Sequence, residues 1–202
     1  MTMNKSFVEN SVSKSLKILK SEIHTLFFHS VEDTKTFLKD IQFFLNLKKK
    51  FPIKNLGFSV YEPNDLREIL KKNIKISIQF PFNILNQSFS KIINKKEIYP
   101  SFARSIFLQG ILLNKIKKKN NLKLSNSVKN YLNFLDYNKI SPLELNLSFI
   151  NQQKKIDYFI FGVDNADQLK KIISTDTYRF KNSKIKKIKS FFDKNNIDPR
   201  YW

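Results

Sequence analysis

Short apolar runs alternate with amphipathic helical stretches along this 202-residue chain, and that alternation restricts the fold more than any other feature. Val12 to Lys20 has helical spacing at Val12, Leu16 and Leu19, and the apolar run Ile23 to Phe28 follows it. Val31 to Lys50 reads as one long amphipathic helix carrying Phe37, Ile41, Phe44 and Leu45, opened by Ser30 as N-cap and stopped before Pro52. Leu56 to Val60 reads as a short strand, and Pro63 to Lys72 as a helix with proline in its first turn. Ile74 to Phe80 is strand-like, Phe89 to Lys95 a short helix, and Ile98 to Ala103 a further strand. After an irregular stretch come helices over Val128 to Tyr137 and Pro142 to Asn151. The most strand-like run, Ile156 to Phe161, follows, then a helix over Ala166 to Ile173 and a last basic helix over Lys184 to Lys194. Five strands separated by helices predict right-handed βαβ units on a parallel sheet, an α/β fold.

The chain can bury a core of the size such a sheet needs. Hydrophobic residues make up 41% and aromatic residues 14%, with 20 Phe, so disorder is excluded despite the charge. With no Cys, disulfides, iron–sulfur clusters, thiolate zinc sites and cysteine nucleophiles are all excluded, and two His cannot supply a histidine-rich metal site. Met1 to Asn10 has no apolar signal core, and no apolar stretch is long enough to span a bilayer. A cytoplasmic protein without a membrane partner is the expectation.

A net charge of +20 raises nucleic-acid binding first, because lysine and arginine neutralise phosphates. The distribution argues for something plainer. Lysines occur in small groups throughout, and arginine appears only at Arg67, Arg104, Arg179 and Arg200, although the forked guanidinium is what base and phosphate recognition favours. Solvated lysines on outer helices are the leading reading and nucleic acid is not an expected partner. A polyanion-binding surface is the second reading, with Lys181 to Lys189 as its best location.

In parallel α/β architectures ligands collect where loops leave the carboxyl ends of the strands. Those ends carry His29, Ser59, Gln79, Arg104 with Ser105, and Gly162. Glycine itself is scarce: three residues, Gly57, Gly110 and Gly162, where average usage would place roughly 14. Each stands at a strand or in the loop after one, where a backbone without Cβ is useful.

These residues carry a resemblance. Leu26-Phe27-Phe28-His29 resembles the fourth strand of the aldo-keto reductases, the NAD(P)-dependent (β/α)8 barrel enzymes. Gly57-Phe58-Ser59-Val60-Tyr61 is similar to their fifth-strand pattern G-x-S-N-Y/F, and Gln79-Phe80-Pro81-Phe82-Asn83-Ile84-Leu85 to the sixth-strand run Q-x-P-Y-N-x-L. Ala103 to Leu112 resembles the seventh strand with its cofactor loop, and Ile160 to Leu169 the eighth strand with the helix behind it. The five occur in family order from about Ser11 to Ile173.

The resemblance implies a partial barrel over residues 1–202, strands four to eight with their helices and a basic C-terminal helix at about 184–194. The first three βα units are expected to be absent, since a complete barrel needs about 250 residues. Of the family's catalytic Asp, Tyr, Lys and His, only the histidine has a counterpart, His29, so the chain as given is expected to be catalytically incomplete. NADP or NAD is the implied cofactor and a small carbonyl compound the implied substrate. Ser59 and Gln79 would meet the nicotinamide carboxamide, Arg104 would stack on the ring, Ser105, Gln109 and Gly110 would follow the pyrophosphate, and Gly162, Asp164 and Gln168 would hold the adenine ribose end. Three changes depart from the family pattern: Val60 stands for a common Asn, Arg104 for an aromatic residue, and Lys171-Ile172 for Glu-Asn. The two exposed edges of such a sheet imply self-association or a barrel half supplied in trans. The alternative is a non-catalytic basic binding or assembly module contacting acidic partners or nucleic acid.

Overall fold

The computed structural model describes residues 4–113, 126–175, 177 and 188. The basic helix expected at 184–194 and the Lys181 to Lys189 segment lie outside the described residues, Ile188 apart. The elements are α1 (Lys5–Leu19), β1 (Ile23–Phe28), α2 (Val31–Lys39), α3 (Ile41–Lys50), β2 (Ile53–Ser59), a 3₁₀ turn (Pro63–Leu66) leading into α4 (Arg67–Leu70), β3 (Ile76–Pro81), a 3₁₀ stretch (Ser88–Asn94), β4 (Ile98–Arg104), α5 (Asn126–Asn138), α6 (Pro142–Asn151), β5 (Tyr158–Phe159) and α7 (Ala166–Ser174). The strands lie in sequence order in one five-stranded sheet. The pairs β1–β2, β2–β3 and β4–β5 are parallel, as helices between successive strands require.

Three of the differences from the sequence expectation have a local reason. α1 starts seven residues early because the Asn4 side chain accepts from the Phe7 amide and caps a first turn, Lys5 to Val8, ahead of the apolar spacing that begins at Val12. The long helix over 31–50 breaks at Asp40, whose backbone leaves the helical region (φ −144°, ψ 60°) while its carboxylate caps α3 through the Phe43 amide at 3.1 Å. The strand expected over 156–161 shrinks to Tyr158–Phe159: the Ile156 amide is bonded to Gln153 O in a turn, and the Ile160 amide makes the last bond to β4, at Ala103 O.

The chain forms two compact units, Met1–Phe80 with Ile92–Ser101, and Pro81–Lys91 with Phe102–Trp202. In the first, β1 pairs with β2 so that Phe28 lies beside Phe58, their rings stacked at 4.9 Å. Phe37 of α2 meets Phe58 at 5.0 Å and Phe44 of α3 meets Phe28 at 4.8 Å, both edge-on. Burying each such ring stabilises the unit by about 1.5–3 kcal/mol, and the edge-to-face contacts add to that. On the opposite face of the same strands, the Phe27 ring and Thr25 lie over Gly57. A Cβ there would come within 2.7 Å of Phe27 Cε1 and 2.8 Å of Thr25 Cγ2, so this glycine is a packing requirement.

In the second unit the β4–β5 pair sets Phe102 beside Tyr158, rings stacked at 4.8 Å. The Phe82 amide bonds Arg104 O at 2.9 Å, and the Phe82 ring stacks on Phe149 of α6 at 5.7 Å. Tyr131, Leu135, Leu145 and Phe149 form the buried helical side of this unit.

Candidate functional site

Where β4 ends, residues 105–113 leave the sheet as consecutive tight turns. Leu108 N bonds Ser105 O, Gly110 N bonds Phe107 O, Ile111 N bonds Leu108 O and Leu113 N bonds Gly110 O, all between 2.9 and 3.1 Å. Four residues take left-handed backbone: Ser105 (φ 57°), Leu108 (47°), Gln109 (52°) and Gly110 (85°). Glycine suits the last of these, where an L side chain is strained. No protein group among the described residues accepts a hydrogen bond from the amides of Ile106, Phe107 or Gln109. Amides exposed in turns of mixed handedness are the donors from which anion-binding concavities are built.

Side chains fix both ends of this loop. At its start Asn83 Nδ2 donates to Ser105 O at 3.1 Å, while Asn83 Oδ1 accepts from the amides of Leu85 and Asn86. At its end Leu112 O accepts from Tyr131 Oη at 3.1 Å and from Asn146 Nδ2 at 3.3 Å. Burial pushes the Tyr131 hydroxyl well above the usual tyrosine range, opposed by the hydrogen bond from Asn146.

The loop forms one wall of a cleft of about 780 Å³. The other wall is the segment after β5 and the start of α7: Ile160, Phe161, Gly162, Asp164, Gln168, Lys171 and Ile172. The rings of Phe107 and Phe161 meet at 5.8 Å across it. Asn165 caps α7 by accepting from the Gln168 amide at 2.9 Å, and Gln168 returns the contact to Asp164 twice, at the backbone amide (2.9 Å) and at Oδ2 (3.1 Å). The cleft therefore offers two cations, Arg104 and Lys171, against one carboxylate already engaged by an amide side chain.

The cofactor residues that the resemblance implies for this unit, Arg104, Ser105, Gln109, Gly110, Gly162, Asp164 and Gln168, all line that one cleft. A Cβ at Gly162 would meet nothing within 4 Å, so no protein neighbour demands glycine there. The apolar lining from Leu113 and Leu143 belongs to no sequence motif, and neither does the Tyr131–Asn146 brace. In the first unit Ser59 Oγ donates to Gln79 Oε1 at 3.2 Å, in register across β2 and β3, and Val60 N bonds Gln79 O at 2.9 Å. His29 is exposed just after β1, its amide held by Asp33 Oδ2 at 3.1 Å. Among the described residues no group of His, Asp and Glu could hold a metal ion.

The family model described as the aldo/keto reductase family matches residues 1–193. The chain belongs to the aldo/keto reductase family. Solved structures agree in fold. Aldo-keto reductase AKR11C1 from Bacillus halodurans, in its holo form, superposes with a TM-score of 0.76 at 19% identity, covering 98% of this chain and 71% of that one. The silkworm (Bombyx mori) aldo-keto reductase AKR2E5 complexed with NADPH gives 0.65 at 16% identity, covering 100% and 64%. The glycerol dehydrogenase AKR11B4 from Gluconobacter oxydans gives 0.61 at 14%, covering 93% and 64%. This chain of the aldo/keto reductase family thus spans about two thirds of the length of these enzymes. Curated protein sequences contain no match.

Proposed function

We propose that the cleft of the second unit is a binding site for NADP or NAD, and that these 202 residues by themselves do not complete the reduction of a carbonyl compound. One observation carries the first half: a loop with three unengaged amides and four residues of left-handed backbone faces a wall with a cation and an apolar ring, in a volume suited to a nucleotide. The donor set fits a diphosphate. Ser105 and the amides of Ile106, Phe107 and Gln109 would hold it, Arg104 would lie flat against the nicotinamide end, and Gly162, Asp164, Gln168 and Lys171 would line the adenosine end. A bound nicotinamide dinucleotide supplies the hydride in this family.

The reading takes the five strands as barrel strands four to eight of the family. In the first unit the resemblance gives Ser59 and Gln79, already paired to each other, the role of carboxamide partners, and His29 that of orienting the oxygen of a small carbonyl substrate. Proton donation needs an acid held near that oxygen. Of the family's four catalytic residues the resemblance gives a counterpart only to the histidine, which supports incompleteness for these residues alone. A cytoplasmic location belongs to the same proposal; no described helix is long and apolar enough to cross a membrane.

Titrating the purified chain into NADPH and following nicotinamide fluorescence tests the proposal. Saturable binding with no carbonyl-dependent NADPH oxidation is the expected result. An unchanged signal at the highest attainable protein concentration removes the cofactor site, and turnover of a simple aldehyde removes the incompleteness.

A further inference from the structure

Lysines of the first unit are gathered at one end of its sheet. Ile23 pairs with Ile53 and Gly57 with Ser77, and the Ile76 amide bonds Glu97 O at 2.8 Å, so the starts of β1, β2, β3 and β4 lie side by side. Each start is preceded by lysine: residues 17–22, 48–54, 71–75 and 95–97 hold eleven lysines and two glutamates. About a tenth of the chain thus carries nearly a third of its 37 basic residues. Three of the eleven are paired, Lys50 with Glu9, Lys54 with Glu22 and Lys71 with Glu68. Lys20, Lys72, Lys75, Lys95 and Lys96 are exposed, with no carboxylate partner among the described residues.

The same rim exposes apolar side chains. Ile18 (70% exposed) and Leu19 (57%) end α1 just before the turn into β1, and Tyr99 (67%) is the second residue of β4. Strands stand about 4.8 Å apart, so the lysine groups form a row across the sheet end and not scattered points. Aliphatic residues add nothing to phosphate-chain or base recognition, and the rim contains no arginine. Both features suit a surface of anionic phospholipid, where lysines meet headgroups and exposed Leu, Ile and Tyr enter the interface.

We infer that this amino-terminal rim docks the protein peripherally on anionic phospholipid bilayers. The contact is one of charge and shallow apolar insertion, needs no spanning segment and is independent of nucleotide binding. Each lysine at such a surface contributes about fivefold in partition at low salt, and the effect falls as ionic strength rises.

Sedimentation of the full chain with phosphatidylserine-bearing vesicles, against pure phosphatidylcholine, reads this out. The expected result is binding only to the anionic vesicles. Replacing Lys72, Lys75, Lys95 and Lys96 by Gln loses about six-hundredfold, while the same change at Lys14, Lys35, Lys39 and Lys129 loses much less. Leu19→Ser with Tyr99→Ser loses about tenfold on vesicles and leaves retention on single-stranded DNA unchanged. These side chains are exposed, so thermal melts of the variants should match the parent. Equal losses from the rim and control sets overturn the inference, because net charge alone would then explain binding. So does tighter binding to DNA than to vesicles with no effect of the two serine changes, which would mark a nucleic-acid surface, and so does absence of vesicle binding at low salt.

Discussion

Replacing Tyr131 by Phe removes one oxygen from the buried knot that closes the cleft loop, and the geometry fixes how much that should cost. Asn146 Nδ2 has two hydrogens and faces three acceptors, Tyr131 Oη at 2.7 Å, Pro142 O at 2.8 Å and Leu112 O at 3.3 Å. Without the hydroxyl, two hydrogens meet two carbonyls, and Leu112 O keeps a donor. No buried group is stranded, so the loss is that of one net hydrogen bond, about 1 kcal/mol, without the further cost, up to ~3 kcal/mol, of an orphaned polar group. For a chain of this size that lowers Tm by about 2–4 °C. Denaturant unfolding followed by circular dichroism at neutral pH measures it.

The same variant carries a pH signature. Burial, partly opposed by the bond from Asn146, raises the folded Tyr131 hydroxyl above its unfolded value near 10. Above about pH 10 the unfolded state therefore binds fewer protons than the folded state, and stability falls with rising pH by up to about 1.4 kcal/mol per unit. The contribution is fully present below that pH. Tyr131→Phe lacks this loss, so the gap between parent and variant should narrow above pH 10. A cost beyond ~3 kcal/mol at neutral pH, or a gap that stays constant into alkali, would refute the reasoning.

Two further substitutions test the first unit. Gly57→Val should destabilise by about 1–3 kcal/mol in urea melts, since its Cβ would sit 2.7–2.8 Å from Phe27 and Thr25; an unchanged midpoint would mean the Phe27 ring swings clear at no cost. Ser30→Ala removes one arm of the capping box of α2, in which Ser30 Oγ accepts from Asp33 N at 3.1 Å, and should cost about 1 kcal/mol.

What could be read from the sequence was whatever repeats with a period or punctuates it. Ile23–Phe28 is a strand, as its sequence predicts, because five of its six residues are apolar or β-branched and polar turns flank it. The break at Asp40 is invisible to periodicity, since Phe37, Ile41 and Phe44 keep helical spacing across it. Its signal was the aspartate itself, a side chain that competes for the amide three residues on. Ile156 to Phe161 shows the opposite failure: β-propensity was high, but pairing ends at Ile160, and propensity cannot supply a neighbour. The cleft residues were legible through family motifs at the ends of β4 and β5. The brace of Tyr131 and Asn146 was not, because it joins α5 and α6 to the loop by contacts between residues 112, 131 and 146 that no local pattern encodes.

The central claim, a nicotinamide dinucleotide held between residues 104–113 and 160–172, is tested most directly by amide hydrogen exchange with and without NADPH. Free, the amides of Ile106, Phe107 and Gln109 have no protein acceptor and should exchange fast. With saturating NADPH, peptides covering 104–113 should slow by at least about tenfold, peptides covering 160–172 should slow as well, and those covering β1 should stay unchanged. Exchange in 104–113 that does not respond to NADPH, or protection confined to other segments, would contradict the account.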